Sequence, residues 1–149
     1  MMQPKDKIAL AHDHLFQLGG AEQVLRQLIR VYPGAPLYTL TCKRKNFPFL
    51  YDVDIRTSIL AKLPGGTQWS LFKLYLAAMP YAWQQFDFSE YKVVISSSSA
   101  FVKSIQVNAP TVHISYCHTP ARYLWSDSEE YLDHIRLPLP GKAYLGRLL

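Results

Sequence analysis

An α/β fold is expected from this sequence: a mostly parallel sheet covered by helices on both faces. Three observations carry that expectation. Short apolar runs alternate with segments of helical periodicity along most of the chain. The runs Lys92–Ile95 and Thr111–Ser115 have the β-branched, unalternating texture of strands buried in a parallel sheet. Each is followed at once by small or polar residues, Ser96–Ser99 after the first and Tyr116-Cys117-His118-Thr119-Pro120 after the second. Open α/β sheets collect their ligands just outside the carboxyl ends of the strands, so a serine cluster and a histidine stand where such a fold builds a site.

The elements follow in order. Lys7–Ala11 reads as the first strand and His12–Gly20 as the loop beyond it. A helix is expected from Ala21 to Val31, because Val24, Leu25, Leu28 and Val31 recur at helical spacing. Glu22 lies in its first turn, where a carboxylate suits the positive end of the dipole. Tyr32-Pro33-Gly34 stops it, and Pro36–Thr41 and Asp54–Ser58 read as the second and third strands. Pro64-Gly65-Gly66 breaks the chain before a helical stretch over Gln68–Phe86. Its stripe of Trp69, Phe72, Leu76, Met79 and Trp83 is expected to be mostly core, and Pro80 to kink or interrupt it. Then come the strand Lys92–Ile95, a helix over Ala100–Gln106 and the strand Thr111–Ser115. Ala121–Trp125 and Ser128–Ile135 read as turns of helix ahead of the break at Leu137–Gly141.

The 149 residues fit one domain, 49% hydrophobic and 18% charged, a balance that suits a packed core and argues against disorder. The net charge of +5 is compatible with an anionic ligand or a membrane surface. Nucleic acid is not an expected partner, since no helix carries a basic stripe and no nucleic-acid motif occurs. The densest basic run, Lys43-Arg44-Lys45, reads as a solvated loop. Cys42 and Cys117 form no CxxC pair and no disulfide framework, which favours a reducing cytoplasm. The apolar run Ile8–Ala11 is too short for a signal peptide, and none approaches the ~20 residues of a transmembrane helix. The expectation is a cytoplasmic protein, peripheral at most on the inner face of the plasma membrane. The weak surface contact would come from Lys43, Arg44, Lys45 and Lys73.

Several residues have chemistry to offer. Gly19-Gly20-Ala21-Glu22 puts glycines at a helix N-terminus, where backbone N–H groups can approach an anion; a plain turn is the alternative. The sequence there is neither GxGxxG nor a Walker loop. His12 and His14 flank Asp13, too few ligands for zinc, and Asp13 with either histidine is a candidate to orient a sugar hydroxyl. Ser96–Ser99 supplies hydroxyls or caps the next helix, and lacks the GxSxG elbow of a hydrolase. His118 is either a structural histidine or a catalytic one, and its place at a strand's carboxyl edge favours the second. A Cys117 nucleophile would need an oriented base, and the sequence offers none.

Together these blocks resemble a known family. HDHLFQLGGAEQVL resembles the first loop of family 4 glycosyltransferases. YKVVISSSSAFVKS and HISYCHTPARYLW resemble blocks of its branch of bacterial mannosyltransferases of polysaccharide synthesis, in the same order. The resemblance implies a Rossmann-like domain, the N-terminal, acceptor-side half of a GT-B architecture, with residues 1–149 as that half and a C-terminal donor-binding domain beyond them. It implies retaining transfer of a sugar, mannose by similarity of branch, from a nucleotide-sugar such as GDP-mannose to a glycan or lipid-linked acceptor. No metal or other cofactor is implied. This half alone is not expected to turn over donor. Gly19 and Gly20 are expected to bind the donor and His118 to be catalytic. His12, Asp13, Ser97, Ser98 and Arg122 are expected to bind the acceptor. A non-catalytic Rossmann-like module that binds a glycan or a partner is the alternative.

Overall fold

A computed structural model describes residues 7–118, apart from the side chains of Trp69 and Lys73. Arg122 and the helical turns expected over 121–125 and 128–135 lie outside the described residues.

Five strands form one sheet: β1 (Ile8–His12), β2 (Leu37–Thr39), β3 (Ile55–Thr57), β4 (Val93–Ser98) and β5 (Val112–Cys117). Their order is β3-β2-β1-β4-β5, and every pairing is parallel. Parallel neighbours need long crossovers, and here these cover both faces. Side chains alternate along β1: Leu10 points into a core with Leu25 of helix α1 (Gly20–Val31), while Ala9 and Ala11 point into a core with Phe72, Met79 and Trp83. The α/β class with a parallel sheet and two helical layers is therefore the observed one. No helix among the described residues is long and apolar enough to cross a membrane.

Helix α1 begins after Gly19 and ends at Tyr32, with Gly34 at a φ of 83° in the turn that follows. Leu25 is its buried anchor, and Leu28 and Ile29 pack beside it. Val31, expected on the apolar face, is instead exposed, because the stripe that packs on the core runs through Leu25, Leu28, Ile29 and Tyr32 and leaves Val31 to one side. The stretch Gln68–Phe86 is not one helix. It divides into α2 (Trp69–Phe72), a 3-10 segment (Lys73–Ala78) and α3 (Met79–Gln84). Pro80, lacking an N–H, occupies the first turn of α3, where none is needed. Of the expected stripe, Phe72, Met79 and Trp83 are buried and Leu76 is half-buried.

Further expectations are corrected. β4 runs on through Ser98, so Ser96, Ser97 and Ser98 are buried strand residues rather than a loop beyond the strand. Tyr116 and Cys117 likewise belong to β5. Val112, Ile114 and Tyr116 are each more than half exposed, so β5 is an edge strand among the described residues and not a buried one. The helix expected over Ala100–Gln106 is only a 3-10 turn, Val102–Ser104. Within the basic run, Arg44 and Lys45 are exposed, as expected of a solvated loop, and Arg44 also donates to the carbonyls of Leu50 and Val53.

Candidate functional site

β1 and β4 are neighbours whose connections leave in opposite directions. The chain beyond β1 runs into α1 on one face, while the chain beyond β4 places Val102 and Ile105 in the core of the other. Such a switch point leaves a crevice outside the carboxyl ends of the two strands. His12 ends β1, Ser97 and Ser98 end β4, and His118 follows β5 directly.

The ladder aligns His12 with Ser97 and Ser97 with Tyr116. His12 and Ser97 share the α1 face, two residues beyond Leu10 and Ile95 of that core. His118 is held by its own N–H, which donates to the Ser98 carbonyl at 3.0 Å. Its ring stands edge-on to Tyr116, centroids 5.0 Å apart. A continuous chain of side chains results. The Ser97 hydroxyl lies 2.8 Å from His118 Nε2 and 3.1 Å from His12 Nδ1, and His12 Nε2 lies 3.4 Å from Glu22 Oε1. Burial pushes the His118 pKa below the ordinary histidine value, and the neighbouring His12 adds to this; Glu22 and Asp13 oppose it.

Glu22 was expected only to complement the helix dipole. Its second oxygen, Oε2, accepts the Gly19 N–H at 2.8 Å, so the side chain both caps α1 and holds His12. Burial alone would raise its pKa, but the bonds from His12 and the backbone outweigh that and lower it. The signal was present in the sequence as a G-x-x-E start to a helix, one short loop beyond the histidine that ends β1. Gly19 and Gly20 are exposed, and a side chain added at Gly20 would enter open space. The first N–H groups of α1 have no intrahelical acceptor, so they face outward at the positive end of a twelve-residue helix.

Asp13, expected to meet an acceptor hydroxyl, is here committed to the backbone. It is buried, and its two oxygens accept four successive backbone N–H groups: Ser99 and Ala100 at 2.6 and 2.7 Å, Phe101 and Val102 each at 2.7 Å. Its work is to tie the loop after β1 to the loop after β4. His14 turns away from His12 and packs near Phe16 and Phe72, at 5.6 and 6.4 Å between centroids. Ser98 is fully buried on the face opposite Ser97, and its hydroxyl has no hydrogen-bond partner. The structure thus brings His12, Ser97, His118, Gly19 and Gly20 to one end of the sheet, and sets Asp13 and Ser98 behind that site.

Glu22, His12 and Ser97 follow the carboxylate–imidazole–hydroxyl order of a nucleophilic triad. Ser97 is, however, fully buried and its oxygen already bridges two imidazoles, so no substrate carbonyl can reach it. The half-buried His118 is the outermost member of the chain. Among the described residues no cluster of three or more His, Cys, Asp or Glu is arranged to hold a metal ion. Comparison of the chain with protein-family models, with curated proteins and with solved structures finds no match to any of them.

Proposed function

We propose that this chain is the acceptor-side half of a retaining glycosyltransferase of GT-B architecture, moving a sugar from a nucleotide-sugar to a glycan or lipid-linked acceptor. One observation carries the reading. The glycine-led N-terminus of α1 and His118, far apart in sequence, are brought to the same switch point of a parallel sheet. They are also the residues of HDHLFQLGGAEQVL and HISYCHTPARYLW on which the family resemblance rests.

The chemistry follows from charge. Cleavage of the sugar–phosphate bond builds positive charge on the ring and negative charge on the leaving diphosphate. Dipoles fixed in place beforehand lower that barrier. The outward N–H groups of Gly20 and Ala21 supply such dipoles. Glu22 adds a negative charge beside them, already committed to Gly19 and His12. Cationic groups that grip the diphosphate must therefore come from elsewhere, in this reading from a second domain. His118 orients the sugar through a hydroxyl and need not act as a base.

The test is transfer by the full-length gene product, assayed with a panel of nucleotide-sugars beginning with GDP-mannose. The expected outcome is transfer with retention, reduced by roughly 10²-fold or more in His118→Ala with the urea midpoint little changed. No transfer from any donor would overturn the reading in favour of a binding module. A variant that melts early yet keeps its rate per folded molecule would make His118 structural.

A further inference from the structure

We infer that Glu22 is a positioning residue that sets, through His12 and Ser97, which nitrogen of His118 carries the proton, so that His118 presents an Nδ1 lone pair to a ligand hydroxyl. Only the identity of the ligand rests on the glycosyltransferase reading; the chain of bonds does not.

The argument runs along four groups. An ionised carboxylate can only accept, so His12 Nε2 facing Glu22 Oε1 must carry a hydrogen. In neutral His12 the other nitrogen, Nδ1, is then an acceptor. The Ser97 hydroxyl, 3.1 Å away, must donate to it. With its one hydrogen spent, Ser97 Oγ is an acceptor towards His118 Nε2 at 2.8 Å. His118 Nε2 therefore carries the hydrogen, and neutral His118 keeps its lone pair on Nδ1. Such an atom accepts from a hydroxyl and does not donate to a phosphate or carbonyl oxygen. The site is in this way matched to a polyol and mismatched to an anion at the same position. Burial of His12 and Ser97 excludes the water that would otherwise decouple the links.

Glu22→Gln distinguishes polarity from shape. The Gly19 N–H is always a donor, so the single carbonyl oxygen of glutamine stays with Gly19 and its NH2 group turns to His12. His12 Nε2 must then accept, and every bond in the chain reverses. His118 ends with its hydrogen on Nδ1.

The experiment is long-range 1H–15N correlation of the imidazoles in the full-length protein at about pH 8, where unperturbed histidines are neutral. His12→Gln and His118→Gln variants assign the signals. The wild type is expected to show His12 and His118 both as Nε2–H tautomers. Glu22→Gln is expected to convert both to Nδ1–H, and in a Ser97→Ala background residue 22 should no longer move His118. An Nδ1–H tautomer for wild-type His118, or a His118 that ignores Glu22→Gln, would overturn the inference. The tautomer measurement needs no substrate, so a reversal seen in a protein that transfers no sugar upholds the chain and rejects the transferase reading instead.

Discussion

Asp13 is the residue on which the site's framework most depends. Four amides converge on one buried carboxylate, and nothing else nearby replaces it. Asp13→Asn keeps the shape but sets an NH2 group against N–H donors and removes the charge. Donors left unpaired in a buried place cost about 1–3 kcal/mol each, so the variant should lose at least about 3 kcal/mol. Urea unfolding with an unchanged m-value and a clearly lower midpoint is the expected result; a wild-type midpoint would contradict the role. The sequence placed Asp13, like His12, just beyond a strand, and so marked both as candidates for the site. It could not say which one faces the crevice. That depends on the alternation of side chains at the strand's end and on a loop some 86 residues away in the chain, the distance in sequence between Asp13 and the Ser99 amide. Glu22 was misjudged for a related reason: its helical position was legible, but its partner lay across a tertiary contact.

Elements were read best where local pattern and tertiary demand agree. The strands and α1 fall within a few residues of expectation because a buried parallel strand needs an apolar run and a surface helix needs a stripe. Ser96–Ser98 were lost to the loop because hydroxyls do not look like strand interior. The structure accepts them because β1 and β5 flank them and histidines partner two of them, Ser96 with His113 at 2.9 Å and Ser97 with His12 and His118. The segment 100–106 is too short to hold a helix by its own propensity, and Asp13 claims its leading amides for a turn. The Pro64-Gly65-Gly66 break has a tighter basis than its composition suggested. Gly65 has a φ of 75°, and a Cβ at Gly66 would collide with the Leu60 carbonyl oxygen and the Ala61 backbone. Gly66→Ala should therefore destabilise by about 1–3 kcal/mol, the usual cost of overpacking. Thermal or urea unfolding checks it, and a variant as stable as wild type would show that the turn can open without cost.

For the molecule as a whole, the histidines make stability depend on pH in a definite direction. Burial lowers the pKa of His14, His113 and His118 below 6.5. As pH falls below that value, the unfolded chain takes up protons before the native one does. Stability is therefore full above 6.5, declines below it, and levels off once the native histidines titrate. Glu22 adds a second decline. Its native pKa is lowered from 4.5, so its contribution is complete above 4.5 and is lost as pH falls through the native value. Urea midpoints measured between about pH 8 and pH 3 should step down in both windows. A midpoint that rises between about pH 7.5 and pH 5.5 would contradict the first.

The Asp13 clamp also has a mechanical meaning. Loops at the mouth of an α/β crevice ordinarily move independently, each hinged on its own strand. Here the two that flank the switch point are riveted through a single side chain, and the second strand contributes Ser97 to the histidine chain as well. Neither wall can swing without carrying the other. Whatever binds at this end of the sheet meets a stiff jaw, and any closing stroke must come from a part that approaches it from outside.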